Sequence, residues 1–192
     1  MSWIPALQIG LWNAWILMLY FPLHPLIMIA VDKAIGTGEI FRKMGDVPYE
    51  KREKTAFVIS MVFLLLLVVY SVFLPLNLGA MWFYVGLTTY LVGLVMFLAA
   101  IVNIATTPLG QPFTKGMYRY SRHPMLFSGF ITYLGVSVAS ASWVFLLLSI
   151  VTQALQASQA IAEERGCLET YGDEYQQYLN RTPRWIGIPK SR

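Results

Sequence analysis

Three long runs of mostly apolar residues dominate the chain, and none of them contains an acidic or basic side chain. These runs cover residues 1–31, 55–114 and 124–162. A membrane-spanning helix needs roughly 20 apolar residues, so the first run predicts one helix, at about 8–31. The second run has room for two helices, and the Pro, Asn and Gly residues within 74–79 mark a turn between them. It therefore predicts spans at about 56–74 and 80–105.

The third run divides in the same way, at a cluster of small and hydroxyl residues over 137–142. Its two halves predict spans at about 124–139 and 143–162, joined by a very short hairpin. In the tail 163–192, Leu and Tyr side chains recur at helical spacing, which predicts an amphipathic helix interrupted near Gly172. The whole pattern predicts a single all-α domain over 1–192, a polytopic membrane protein with about five transmembrane helices and a C-terminal amphipathic helix.

Charge then limits the class of protein. Charged residues make up 12% of the 192 residues, where a soluble domain carries about 25%, so an ordinary soluble enzyme is excluded. A nucleic-acid-binding domain is excluded as well, because it would need a polar scaffold to display its basic residues. One cysteine and two histidines share no ligand spacing, so no metal site is expected.

The positions of the basic residues predict the orientation of the chain. All 14 Lys and Arg residues lie in the segments 32–54, 106–122 and 163–192. With five spans, these three segments share one side of the membrane, and the positive-inside rule makes that side cytoplasmic. The C-terminus is then expected in the cytoplasm, and the N-terminus on the opposite side.

A first candidate site lies where the fourth predicted span begins. Pro124 suits the first position of a helix, which puts His123 at the cap and Arg122 beside it. A helix N-terminus with an arginine and a histidine is suited to bind a carboxylate or a phosphate. The alternative is that these residues only follow the positive-inside rule, which places basic side chains at a cytoplasmic membrane edge in any case.

A second candidate is a polar stripe on the fifth predicted span. Gln153, Gln156 and Gln159 recur at helical spacing and lead to the adjacent carboxylates Glu163 and Glu164. Polar groups at membrane depth face a cavity or another helix, because facing lipid is costly. Hydrogen bonding between helices is the alternative, but a stripe that ends in paired acids favours a lined cavity.

Taken together, the two candidates resemble a known family. The first block reads Gly-Met-Tyr-Arg-Tyr-Ser-Arg-His-Pro-Met over 116–125, and the second runs from Glu163-Glu164-Arg165 through the tail tyrosines to Pro183-Arg184. In this order, across a tight helical hairpin, they resemble the membrane methyltransferases of the isoprenylcysteine carboxyl methyltransferase and phospholipid N-methyltransferase group. The chain departs from that group's usual pattern at Leu126 and Ser128, where Tyr and Gly are common.

The resemblance implies S-adenosylmethionine as the cofactor, bound in a pocket that faces the cytoplasm. Its carboxylate would meet the basic block, its hydroxyl and cationic groups the acids, and its adenine the tail tyrosines. The cofactor-binding residues implied are Tyr118, Arg119, Arg122, His123, Pro124, Gln159, Glu163, Tyr175 and Tyr178. The residues expected to orient the methyl acceptor are Glu164, Arg184 and Arg181.

The implied reaction is transfer of a methyl group to a lipophilic or prenylated acceptor that enters from the bilayer, with membrane lipids as the other partners. Carboxyl methylation of an isoprenylcysteine is the nearest match. N-, S- or O-methylation of a lipid headgroup or a small molecule remains open, and so does a non-catalytic membrane protein of the same architecture.

Overall fold

The computed structural model describes residues 7–35 and 38–190, and its regular elements are helices. In chain order they are α1 (Trp15–Met18), α2 (Tyr20–Ile35), α3 (Ile40–Met44), α4 (Lys51–Val72), α5 (Met81–Thr106), a 3-10 turn (Gly116–Arg119), α6 (Pro124–Ala139) and α7 (Trp143–Arg181). The prediction of an all-α membrane protein is confirmed. Four helical segments of the described chain are long and apolar enough to cross a bilayer, and α6 is a shorter apolar helix.

The first span differs from its prediction at both ends, since α1 and α2 together cover Trp15–Ile35 instead of 8–31. Instead of extending the helix, Trp12 and Ala14 pair with the segment after α4. The Ala14 amide donates to the Leu74 carbonyl at 2.8 Å, and the Leu76 amide donates to the Trp12 carbonyl at 2.9 Å. These bonds satisfy backbone N–H and C=O groups that would otherwise need helical hydrogen bonds. The helix therefore begins only at Trp15.

The start of α4 lies five residues before its predicted position, because hydropathy does not report a charged first turn. Glu50 caps the helix, and the Glu53 side chain accepts the Glu50 amide at 2.8 Å, which completes a capping box. One end of the bundle holds the N-terminus of α4, the C-termini of α2 and α5, the start of α6, and the part of α7 beyond residue 162. We call this the charged end.

Helix α7 is about twice as long as a membrane span. Its 39 residues extend about 58 Å at 1.5 Å per residue, against a hydrocarbon core of about 30 Å. The predicted span 143–162 is its apolar part, and the predicted tail helix continues it. The predicted interruption is confirmed: Gly172 has φ 53° and ψ −129°, a conformation that glycine adopts without the penalty a side chain would cause.

Small residues allow α5 and α6 to pack at very short range. A Cβ atom on Gly135 of α6 would overlap the backbone of Tyr90 on α5, and one on Gly86 of α5 would overlap the backbone of Ala139. Close approach through small residues is a general way of packing helices in membranes, where no hydrophobic force draws helices together. This contact fixes α6, and with it the residues that precede α6.

Gly135→Ala is therefore expected to lower the melting temperature of the purified protein by several degrees. Overpacking of a tight contact costs about 1–3 kcal/mol. Gly129→Ala is the matched control on the same helix, because the nearest atom to its new Cβ is the Tyr20 hydroxyl, at 3.8 Å. Equal melting temperatures for the two variants, measured in detergent, would contradict the close packing of α5 and α6.

Candidate active site at the charged end

The start of α6 holds a buried histidine in a fixed position. Pro124 occupies the first turn and His123 is the N-cap, as the sequence predicts. The Ser121 hydroxyl accepts the His123 amide at 3.1 Å. This bond fixes the backbone of His123. Its imidazole points toward α7, and only 5% of the residue is exposed.

The His123 ring lies between two carboxylates. Its Nδ1 is 3.0 Å from Glu163 Oε2, and its Nε2 is 3.0 Å from Glu164 Oε1. An ionised carboxylate only accepts hydrogen bonds, so both ring nitrogens must carry a proton. Burial by itself lowers the pKa of His123, but the hydrogen bonds and charges of the two glutamates outweigh it and raise the pKa above its usual value. His123 is thus an imidazolium that cannot serve as a base while both contacts persist.

Glu164 has its hydrogen-bonding capacity filled by cations. Arg184 donates to it through Nε at 3.0 Å and through Nη2 at 2.8 Å, and Arg122 Nη1 lies 3.4 Å from Oε2. Burial raises the pKa of Glu164, but the hydrogen bonds from His123 and Arg184 and the charge of Arg122 bring it down to about 2. Glu164 is therefore ionised throughout the physiological range.

The chain beyond α7 returns to the start of α6 and delivers Arg184. The Arg122 amide donates to the Pro183 carbonyl at 3.0 Å, and the Gly187 amide donates to the Tyr120 carbonyl at 3.0 Å. The Ser121 hydroxyl adds a bond of 3.3 Å to the Arg184 carbonyl. Three segments far apart in sequence thus form one charged cluster, consisting of Arg122, His123, Glu163, Glu164 and Arg184.

A cavity of about 740 Å³ lies beside this cluster, which is within the usual size of small-molecule sites. Its polar lining includes Arg122, His123, Gln156, Gln159 and Glu163, together with Arg42, Lys43 and Asp46 from the segment that precedes α4. Its apolar wall comes from the bilayer-depth parts of the helices, including Phe21, Met28, Met61, Leu64, Phe97 and Leu126. One space therefore connects buried charges with a hydrocarbon-like surface.

The polar wall retains an unsatisfied donor. Arg122 Nε is buried and has no hydrogen-bond partner among the described residues, although Arg122 is one of the residues that line the cavity and its Nη1 contacts Glu164. A buried donor without a partner costs about 1–3 kcal/mol. The position of this donor suits an anionic or carbonyl group bound in the cavity.

Aromatic side chains from the tail form another wall. Tyr175 and Tyr178 follow the break at Gly172, are buried, and line the cavity together with Tyr118. The Tyr178 hydroxyl donates to the Tyr118 carbonyl at 2.6 Å, and the Tyr175 and Tyr178 ring centroids are 5.5 Å apart. Burial raises the pKa of both tail tyrosines, so their hydroxyls stay neutral.

The segment 41–48 covers the cavity at the charged end, and Arg165 holds it in place. Arg165 donates to the Pro48 carbonyl at 2.6 Å and makes two bonds to Glu53, at 2.9 and 2.6 Å. Gly166 leaves room for Pro48, because a Cβ there would lie 2.8 Å from the proline ring. The sequence analysis assigned no role to this segment, and no local pattern pairs residues more than a hundred positions apart.

The residues singled out by sequence fall into three groups. Seven of them line the cavity: Tyr118, Arg122, His123, Gln159, Glu163, Tyr175 and Tyr178. Glu164 and Arg184 belong to the charged cluster but are not among the lining residues, and Pro124 opens α6. Arg119 and Arg181 are exposed and lie outside the cavity lining.

Glu163→Gln should lower the pH at which His123 titrates, because it removes one of the two carboxylates that raise the pKa of His123. The stabilisation that comes from this raised pKa is complete at acidic pH and is lost as the pH rises through the folded-state value. Nitrogen-15 NMR of labelled histidine measures the titration, and a His123→Gln spectrum assigns the signal.

Glu169→Gln is the control for this titration, because Glu169 is an exposed carboxylate on the same helix. It should leave the His123 signal in place. A His123 signal that titrates at the same pH in the unmodified protein and in Glu163→Gln would contradict the arrangement of the cluster.

Comparison with known proteins identifies the family of this chain. The model of the phospholipid methyltransferase family matches residues 59–174, a segment that holds His123, Glu163 and Glu164. The protein-S-isoprenylcysteine O-methyltransferase of Schizosaccharomyces pombe is 35% identical over 77 residues, which are 40% of this chain and 32% of that protein. The match thus spans about a third of that relative. Because the family model covers more than half of the chain, the protein belongs to the phospholipid methyltransferase family.

Proposed function

We propose that this protein transfers a methyl group from S-adenosylmethionine to a lipophilic acceptor that enters its cavity from the bilayer. The observation that carries the proposal is the composition of the cavity. The imidazolium of His123 and the half-buried Arg122, with its unpaired Nε, line one part, and apolar residues of the membrane-spanning helices line another. Family membership supports methyl transfer as the activity.

The residues of the polar wall fit this cofactor. Arg122 Nε, buried and unpaired, and the imidazolium of His123 would hold the carboxylate of the methionine part. Glu163 faces the cavity and would accept hydrogen bonds from the amine or the ribose hydroxyls, with Gln159 fixing it at 2.7 Å. The aromatic wall of Tyr118, Tyr175 and Tyr178 would cover the adenine.

When bound, the cofactor supplies an electrophilic methyl carbon on a sulfonium, whose C–S bonding electrons leave with the sulfur. The protein's part is alignment and exclusion of water. The segment 41–48, fastened by Arg165, closes the cavity at the charged end, and the His123 ring keeps the start of α6 fixed against α7.

Glu164 and Arg184 have a positioning role in this proposal. Their carboxylate and guanidinium satisfy each other at 2.8 and 3.0 Å, so they hold Arg122 and His123 in place while Glu163 meets the ligand. Arg181 is exposed at the end of α7, where it would meet an acceptor headgroup or lipid at the membrane surface. By the positive-inside rule, this end of the bundle would face the cytoplasm.

An acceptor of the isoprenylcysteine type is the first to test, because the S. pombe relative carries that name. Its carboxylate would need no base, since a carboxylate already holds the lone pair that attacks the methyl carbon. A lipid headgroup amine is the second candidate, since the family model is that of phospholipid methyltransferases; an amine must lose a proton on the way.

The test is transfer of a labelled methyl group by the purified protein in lipid nanodiscs. S-adenosylmethionine labelled in the methyl group is supplied with either a farnesylcysteine analogue or a lipid extract, and the product is separated by chromatography. The methyl label should appear in a lipophilic product that forms from the acceptor. Arg122→Ala should raise the Kd for the cofactor by roughly 10- to 100-fold, which corresponds to the loss of one charge-assisted hydrogen bond.

Arg52→Ala is the matched control, because Arg52 is exposed on α4 and does not line the cavity. It should leave cofactor affinity unchanged in titration calorimetry. No binding of S-adenosylmethionine to the unmodified protein, or equal affinity in both variants, would favour a non-catalytic protein of the same architecture.

A further inference from the structure

Two polar side chains line the cavity and take no part in the charged cluster. Gln156 on α7 and His24 on α2 both line the cavity. Gln156 is only 7% exposed, and its side-chain amide makes no hydrogen bond within the part of the chain that the structure describes. Its amide atoms keep some exposure to the cavity, so a ligand that displaces water from them must supply a hydrogen bond or leave the amide unpaired, which is costly.

Both residues lie in helical segments long and apolar enough to cross a bilayer. Gln156 precedes Glu163 by seven residues on α7, and His24 precedes Asp32 by eight on α2, so each is set about 10–12 Å inward from the charged end. The charged side chains that line the cavity come from the charged end, namely Arg42, Lys43, Asp46, Arg122, His123 and Glu163. The deeper part of the cavity therefore offers hydrogen-bonding groups but, among the described residues, no carboxylate, lysine or arginine that could pair with an ionic ligand.

The geometry of His24 leaves one ring nitrogen for a ligand. Its Nδ1 lies 2.6 Å from the Phe21 carbonyl, and a carbonyl only accepts, so Nδ1 carries the proton. In the neutral ring, Nε2 is then a hydrogen-bond acceptor, and no described residue donates to it. A tilted contact with Phe21, at 5.7 Å between centroids, and an edge contact with Phe97, at 6.1 Å, hold the ring.

We infer that the deeper part of the cavity, with Gln156 and His24 in its lining, is a polar subsite that binds an uncharged hydrogen-bonding group, such as a hydroxyl, a phenol or an amide, of the lipophilic acceptor. The inference rests on the proposed function, because it takes the cavity as the acceptor site. A purely hydrocarbon chain would leave the Gln156 amide unpaired, and an ion would lack a counter-charge. The acceptor is thus expected to carry such a group about two helical turns from the charged end.

The test offers the purified full-length protein two probes at equal concentration, 4-octylphenol and octylbenzene, and counts bound molecules by native mass spectrometry. Gln156→Met, which keeps the length of the side chain and removes the amide, should lower the ratio of bound phenol to bound octylbenzene roughly fivefold. That is the effect of one neutral hydrogen bond. Partition of the probes into detergent is the same for all variants and cancels in the comparison.

Gln153→Met is the matched control. Gln153 lies one turn away on α7, is not among the lining residues, and its buried Oε1 has no partner in the described chain. It should leave the ratio unchanged. His24→Phe should lower the ratio as Gln156→Met does, and it decides the question if Gln156→Met fails to fold.

An unchanged ratio in Gln156→Met, or an equal fall in Gln153→Met, would overturn the subsite. A larger loss of 4-octylbenzoate binding than of 4-octylphenol binding in Gln156→Met would overturn it too, because the subsite would then favour a charged group. Cofactor binding, measured on the same samples, separates the two proposals. Lack of it in the unmodified protein contradicts the proposed function, whereas an unchanged probe ratio in a protein that binds cofactor contradicts only the subsite.

Discussion

The contact on which the site depends is the imidazolium of His123 between Glu163 and Glu164. Isolated ions buried in a protein interior are destabilising, and pairing offsets the loss of hydration only when the remaining donors and acceptors are also satisfied. Here Arg184 and Arg122 contact the Glu164 carboxylate, and Gln159 donates a hydrogen bond to the Glu163 carboxylate. The cluster carries three cations against two carboxylates, so the surplus positive charge faces a cavity with an unpaired Arg122 Nε.

The rest of the fold brings these groups together. The glycine contacts between α5 and α6 fix the position of α6, and therefore of His123. The unusual length of α7 carries Glu163 and Glu164 past its apolar part, within which Gln156 lies. The break at Gly172 then precedes the tyrosines of the aromatic wall, and the returning chain supplies Arg184. A membrane anchor and a charged site are in this way parts of one helix.

The sequence predicts much of this arrangement, because apolar runs, charge positions and capping residues are local signals. The hairpin between α6 and α7, His123 at the helix cap and the break at Gly172 were all predictable from the residues nearby. The pairing of Arg184 with Glu164 and of Arg165 with Glu53 was not, since it depends on how distant segments meet. The glutamine stripe also divides in three dimensions: Gln156 and Gln159 line the cavity and Gln153 does not.

The most direct measurement is a crystal structure of the protein with S-adenosylhomocysteine bound. The ligand carboxylate should lie within hydrogen-bond distance of Arg122 Nε, with the adenine among Tyr118, Tyr175 and Tyr178. A ligand bound outside the cavity, or an Arg122 Nε that stays unpaired in the complex, would contradict the assignment of this cavity as the cofactor site.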